Sequence, residues 1–564
     1  MKVLSSNSAA ALIESGWTVT IGGFGHCGSP EALLSALESR FLSTGLPNTL
    51  TAVFASGVGD RADRGVNRLA HAGLTSRVIG GFWALAPKLS ELVQHGQLEA
   101  HNWPQGVVSH MFRAVAGGLP GVLTQVGIGT FIEPAQRGGL LNDVSSKSLV
   151  DSVELDGRAC LLYKAVSIDC ALLRGTYADE FGNISMEQEA VVGDSLAQAL
   201  ASRNSGGIVV VQVLGVVAQG VLDPKLVKIP GFLVDYVVVA DDPSAHCQTY
   251  GEPYNAAYCN AGGVASGQGL VPQASEARSS ARTTSGATCM DSRRIDARKV
   301  VARRAALELI RVSDQRGSTA ARRPLVVNLG IGMPEGIPSV AQEYGVGADW
   351  VFTVESGAVG GTVAGGSSFG ASAYPHALIT QAEIFDLYDG GGIDLAFLGV
   401  GQIDGEGRVN VCSLDGRVNG VGGFINISQA AQQLVFCGSF TARGPLLDYV
   451  ADKGLSVHSE GRVDKFVRAV SHTCYDPGGR ARCRTPLLIT ERAVFSVGSH
   501  GLELVEVARG IDVTNDIVAH CAFELSISPT LALMPDWVFG DDDLSSFIAG
   551  RHDRLASSSA RSSS

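Results

Sequence analysis

Residues 163–179, YKAVSIDCALLRGTYAD, return as residues 388–404, YDGGGIDLAFLGVGQID, without a gap and at an offset of 225. The pair matches Tyr, Ile-Asp, Ala, Leu and the closing Asp, and Gly182 then matches Gly407. A second echo joins TVTIGG at 18–23 to LVVNLG at 325–330, and the Pro30-Glu31 that follows the first to the Pro334-Glu335 that follows the second, this pair at an offset of 304. Two echoes in the same order along one chain mark a duplicated unit, and unequal offsets place the length differences in loops. At 564 residues the chain also exceeds what a single hydrophobic core ordinarily supports.

Around the echoes, short β-branched runs at 208–214, 233–240, 325–329, 350–354 and 434–437 alternate with helix-like stretches such as 30–41. This alternation predicts an α/β protein of two related domains, each a mostly parallel sheet covered by helices, with ligands at the carboxyl ends of the strands. The stretch 273–294, QASEARSSARTTSGATCMDSRR, is nearly free of large apolar side chains and reads as a linker. The expected units are therefore an N-terminal domain over 1–272 and a C-terminal domain over 295–530, opening on the helix-like IDARKVVARRAALELIR. A tail over 531–564, ending in ASSSARSSS, is expected to be partly disordered.

With 45% hydrophobic residues and a formal net charge of −12, the chain has ample core material and no long basic run to draw it to nucleic acid or an anionic membrane. The opening MKVLSSNSAAALIESGW has no apolar segment of signal-peptide length, and no apolar run is long enough to span a bilayer. A cytoplasmic protein is the expectation. Eleven cysteines without a C-x-x-C pair suggest neither a disulfide framework nor a zinc ribbon, and the twelve histidines form no H-E-x-x-H pair, so no metal is expected.

Three motifs carry candidate chemistry. Gly23-Phe-Gly25-His-Cys-Gly28 fits G-x-G-x-x-G after a strand, with Ser29 as the expected helix cap and Pro30 as the first helical residue, which would suit a nicotinamide dehydrogenase. The fingerprint also wants an acid ending the second strand, and LTAVFAS at 50–56 runs instead into Gly-Val-Gly. Gly366-Ser-Ser368-Phe-Gly370 fits the hydrolase nucleophile elbow but follows a glycine-rich loop rather than a strand. In WVFTVESGAVGG at 350–361 a buried-looking strand ends on Glu355 with glycines directly after it. A strand-end glutamate is commonly a salt-bridge partner, yet close glycines leave backbone N–H groups accessible and make room for a bulky ligand beside a nucleophilic carboxylate.

The segment around Glu355, with NLGIGMPEGIP (328–338), SFGASAYP (368–375), FDLYDGGGIDLAFLGVGQID (385–404) and GVGGFINI (420–427), resembles the propionate or acetate branch of the family I CoA-transferases. GGFGHCGSPEALLSAL (22–37), PQG (104–106), GIGTFIEP (127–134) and RGTYADEFGNISMEQEA (174–190) are similar to the same family. The resemblance implies Glu355 as the residue that becomes a glutamyl-CoA thioester. It implies Gln105 and the amide of Gly422 or Gly423 as an oxyanion site, and CoA contacts at Gly399, Gly401, Gly420, Gly422 and Gly423. It further implies no tightly bound cofactor, coenzyme A as a substrate, short-chain carboxylates as partners, and a homo-oligomer, taken as a tetramer. An acyl-CoA hydrolase on the same scaffold is the alternative. The chain lacks the lysine that the succinyl-type branch carries after the nucleophile's loop, having none between Glu355 and Lys453, and Ala55-Ser56 stands where that branch has paired asparagines. Both departures point away from a dicarboxylate.

Overall fold

The computed structural model describes residues 2–260, 293–294, 296–315, 323–343, 350–450 and 453–540. Its first large sheet has eight parallel strands in the order Lys2–Leu4, Tyr236–Val239, Ile208–Val213, Cys170–Arg174, Thr18–Ile21, Leu50–Ser56, Thr75–Phe82 and Glu99–Asn102. The second has ten strands, of which Trp350–Thr353, Leu325–Leu329, Leu395–Gly399, Gln433–Cys437 and Leu487–Ile489 form a parallel centre. Strands buried on both faces need apolar side chains at every position, which is why IVVVQV and LVVNL read as continuous rather than alternating runs.

The two sheets repeat one plan. Five strands of the first, starting at Leu50, Thr18, Cys170, Ile208 and Tyr236, occupy the places of Trp350, Leu325, Leu395, Gln433 and Leu487 in the second. Even single hydrogen bonds recur: Thr18 N–H donates to Asp169 Oδ2 (2.7 Å) and Val326 N–H to Asp394 Oδ2 (2.9 Å), the Asp of the Ile-Asp pair in each case. Gly22 N–H donates to Leu172 O (2.9 Å) and Gly330 N–H to Phe397 O (2.8 Å). These bonds put Gly22, not Gly23, opposite Gly330, so the second sequence echo is one residue out of register in its strand. Continued along the neighbouring strands, which pair Thr51 with Thr18 and Val351 with Val326, the repeat sets Glu355 where the first half has Ala55.

Side chains of alternate strand residues enter different cores. Leu395 and Phe397 face the helix Ala297–Gln315, while Ala396 and Leu398 join a large core shared with Val107, Val108, Met111 and Phe112 of the helix Gln105–Ala116. That helix belongs to the first half and packs against Ile384, Phe385 and Tyr388 of the second. Contact is closest at Gly106, where a Cβ would lie 2.5 Å from the Phe385 ring. The two halves thus meet through one apolar core with a helix N-terminus at its rim.

Several expectations change. Pro30, not Ser29, is the residue flanking the helix Glu31–Thr44, and Ser29 Oγ donates to Glu31 Oε2 (3.2 Å) instead of capping. The run 233–240 is a strand only over Tyr236–Val239, after a 3-10 turn at Gly231–Leu233. Of the expected linker, 273–292 lie outside the described residues, and Arg293–Arg294 pair antiparallel with Tyr449 and Asp448. The expected tail begins too early: strand Ser526–Leu533 crosses residue 531, and Met534, Val538 and Phe539 are buried against the helix Ala297–Gln315, because apolar side chains this far along still complete that core. Residues 541–564 lie outside the described residues.

Asp394 is buried and also receives Arg323 at 3.1 Å. Asp394→Ala, which strips the acceptor from Val326 N–H, is expected to lower unfolding stability by about 1–3 kcal/mol in denaturant melts, the desolvation penalty of an unpaired buried donor.

Candidate active site

Glu355 follows the strand Trp350–Thr353 in a tight reversal. Val354 N–H donates to Ala358 O (3.0 Å) and Gly357 N–H to Val354 O (3.0 Å), so the chain doubles back into the antiparallel strand Ala358–Val359. Gly357 has φ +99°, and a Cβ there would meet Ile379 O at 2.0 Å, so only glycine fits. Ser356 Oγ ties the turn to Gly370 O (2.7 Å). The carboxylate therefore stands at the carboxyl end of a central parallel strand, where open α/β sheets place their ligands.

The opposite wall comes from both halves. Phe82 and Gly420 form an antiparallel bridge; Trp83 N–H donates to Asn419 O (2.7 Å), Gly422 N–H to Gly81 O (2.9 Å), and Gln105 N–H to Gly422 O (2.8 Å). Asn102, fully buried, clamps this seam, donating to Gly80 O and Gly81 O (both 2.7 Å) and accepting from Val421 N–H (3.0 Å). Gly422 holds φ +52° in the turn, and at Gly423 a Cβ would lie 3.2 Å from Glu355 Cγ.

The result is a cleft of about 280 Å³ lined by Glu355, Gln105, Gly399, Gly401, Gly420, Gly422 and Gly423, together with Phe24, Gly25, Ser56, Phe82 and Phe369. Every site residue expected from sequence meets here. Among the described residues, Glu355 is the only ionisable side chain in the lining. Its Oε2 is buried without a hydrogen-bond partner, and burial pushes its pKa from the ordinary 4.5 to about 7, opposed by a backbone N–H and by the Asn328 amide. Between the two candidate amides, Gly422 N–H is already given to Gly81, whereas no acceptor within the described chain takes the N–H of Gly423. Through Ile331, Gly399 and Val400 the cleft continues into a second of about 550 Å³ that carries Arg298, Arg443 and Lys465. Lys465 is buried, donates to Ser439 O (3.2 Å), and is held by desolvation at a pKa of about 8.

The competing motifs take other roles. In the Gly23–Gly28 loop, Phe24 N–H goes to Cys27 O, Gly25 N–H to Ser56 Oγ, His26 N–H to Phe369 O, Cys27 N–H to Phe24 O and Gly28 N–H to Gln248 O. All five amides from Phe24 to Gly28 are thus spent inside the protein, which leaves no run of N–H groups to cradle a pyrophosphate, and the loop instead supplies the Phe24 wall. Ser368 Oγ shares a hydrogen bond with Thr249 Oγ1 (2.9 Å) and touches no base; Phe369 beside it lines the cleft. Among the described residues there is no cluster able to hold a metal, and no helix is long and apolar enough to cross a membrane. Asn102, Asn328 and the aromatic walls escaped the sequence reading, since isolated Asn and Phe residues carry no pattern until the fold brings them together.

Comparison with known proteins matches this arrangement. The family model described as Coenzyme A transferase fits residues 3–240. Over 550 residues the chain is 37% identical to Acetate CoA-transferase YdiF of Escherichia coli O157:H7, covering 96% of this chain and 95% of that one. The chain belongs to the coenzyme A transferase family. It falls in the acetate, short-chain acyl branch, and is an enzyme that moves CoA between acyl-CoA and carboxylates. A second relative, Caffeate CoA-transferase of Acetobacterium woodii, is 38% identical over 546 residues, covering 96% of this chain and 98% of that one. The crystal structure of the Escherichia coli O157:H7 acyl-CoA transferase (YdiF) apoenzyme superposes with a TM-score of 0.83 at 35% identity, over 96% of this chain and 97% of that one, and the same protein is known as a thioester complex with CoA at the same score.

A carboxylate whose folded pKa is raised makes the folded state bind more protons than the unfolded one. Stability is therefore lost as pH rises from about 4.5 through about 7, by on the order of 3 kcal/mol in this transferase. Glu355→Gln removes that penalty, so its melting temperature is expected to match the parent near pH 4.5 and to exceed it progressively toward pH 8. A difference that does not change with pH would count against a buried, proton-linked Glu355.

Proposed function

We propose that the transferase works by ping-pong exchange through a glutamyl-CoA thioester on Glu355, with small monocarboxylates such as acetate, propionate and butyrate as acyl groups. The first domain, over 1–272, supplies Gln105, and the second, from 295, supplies Glu355 and the glycine turn. The observation that carries this reading is a lone buried carboxylate, unpartnered at Oε2, in a cleft whose described lining has no other ionisable group.

The chemistry suits such a cleft. Glu355 attacks the acyl-CoA carbonyl, and collapse of the tetrahedral adduct breaks the C–S bond, leaving a mixed anhydride and CoA thiolate. The thiolate then attacks the Glu355 carbonyl and the donor acid departs as a carboxylate. An acceptor carboxylate reverses both steps and regenerates Glu355. No net proton moves, so no general acid or base is required. Each adduct places negative charge on a former carbonyl oxygen, and in this reading Gln105 Nε2–H and Gly423 N–H stabilise it; both residues line the cleft and no described acceptor takes the Gly423 N–H, which supports that role.

The absence of any cation in the described lining leaves a second carboxylate on the acid without a partner, which favours monocarboxylates. Relatives named for acetate and caffeate both use acids with one carboxyl group. The adjoining cleft, with Arg298, Arg443 and Lys465, suits the anionic phosphates of CoA. A cytoplasmic homo-oligomer belongs to the same reading. The hydrolase alternative differs in letting water resolve the thioester.

Incubation with propionyl-CoA and no acceptor acid is expected to leave a CoA-sized mass increment on Glu355, removable by hydroxylamine and mapped to VFTVESGAVGG; label on Ser368 or Cys27 would refute the assignment. Glu355→Ala is expected to abolish exchange while remaining folded by circular dichroism. Gln105→Ala should lower kcat about tenfold or more, the scale of losing one oxyanion donor, and an unchanged rate would place the oxyanion site elsewhere.

A further inference from the structure

Behind Gln105 lies a buried polar relay that the exchange chemistry does not itself require. Gln105 Nε2 donates to Gln381 Oε1 (3.2 Å). Gln381, at the start of the helix Gln381–Asp389, is 2% exposed, and its Nε2 reaches both Ser109 Oγ (2.6 Å) and Asp194 Oδ2. Ser109 Oγ in turn donates to the same Asp194 oxygen (2.8 Å). Asp194 is 6% exposed, and its other oxygen, Oδ1, has no partner.

The directions of these bonds follow from chemistry. An ionised carboxylate only accepts, so Ser109 must give its proton to Asp194 and take one on its lone pair from Gln381. Both N–H groups of Gln381 are then committed, one to Ser109 and one to Asp194. That leaves Gln381 Oε1 as the acceptor facing Gln105, which fixes Gln105 with its NH₂ toward Gln381 and one N–H to spare. Rotated by half a turn, Gln105 would set its carbonyl against that of Gln381 and present an acceptor where the adduct's oxygen carries negative charge.

We propose that Gln381, anchored by Asp194 and Ser109, is a positioning residue that locks the Gln105 amide in its donating orientation for oxyanion stabilisation. The inference rests on the reading of Gln105 as an oxyanion donor. Asp194 and Ser109 come from the first half and Gln381 from the second, so the relay also makes the donor's orientation depend on correct docking of the two halves.

The test is a double-mutant cycle in acetyl-CoA:propionate exchange, measured on the full chain with folding checked by circular dichroism. Gln381→Met is expected to lower kcat about tenfold with KM for acetyl-CoA changed less than about twofold, since a transition-state donor is lost rather than a binding contact. In the Gln105→Ala background the same substitution should cost little more, because its effect passes through the missing amide. Losses that multiply, or a Gln381→Met enzyme with full kcat, would overturn the proposal while leaving Gln105 in place. A silent Gln105→Ala would instead remove the oxyanion reading and this inference together. Should Gln381→Met fail to fold, Asp194→Asn provides a second cycle: its amide can donate and so permits the relay to invert, and the expected result is again a kcat loss that vanishes without Gln105.

Discussion

The seam between Gly80–Trp83 of the first half and Asn419–Gly422 of the second is the contact on which the active cleft depends. Backbone groups there pair as in a short antiparallel ladder, and Asn102 satisfies three of them at once. A buried amide with every donor and acceptor used is intolerant of displacement, because any shift leaves unpaired polar groups in a dry interior. The seam fixes the glycine turn against Gln105, and through Gly423 it fixes the space into which Glu355 fits.

Duplication explains why the site is asymmetric although the scaffold is not. The two sheets share strand order and even the Asp-to-backbone bonds at Asp169 and Asp394, so stability is served by repeated elements. Function needs only one nucleophile, and the equivalent place in the first half holds Ala55, whose carbonyl packs close to Gly81 at the seam. One copy of the fold bears the reacting carboxylate and the other has become the wall that orients it.

Electrostatics and stability pull in opposite directions at Glu355. Desolvation that raises its pKa makes the ionised fold less stable, yet a poorly solvated carboxylate has less water to shed before attack. The described lining holds no cation to compensate the charge, only neutral donors such as amides and the Ser56 hydroxyl, which matches a reaction whose charge migrates between oxygens and sulfur without a proton.

The sequence alone determined the α/β class, the duplication, the strand cores at 208–214, 325–329 and 434–437, and the candidate residues Glu355, Gln105 and the five glycines. Those features are local, resting on β-branched runs, glycine turns and long motifs that survive in linear order. It misplaced the echo at Gly22 by one residue and ended the second core too early, because register and core completion are set by partners distant in the chain. Only the tertiary structure decided that the amides of Phe24 to Gly28 are spent within the protein rather than offered to a phosphate, that Gly423 rather than Gly422 keeps its N–H, and that Gln381 and Asp194 stand behind Gln105. The physical reason is that an amide's availability and a carboxamide's direction depend on which donors and acceptors oppose it, and here these come from residues far apart in the chain.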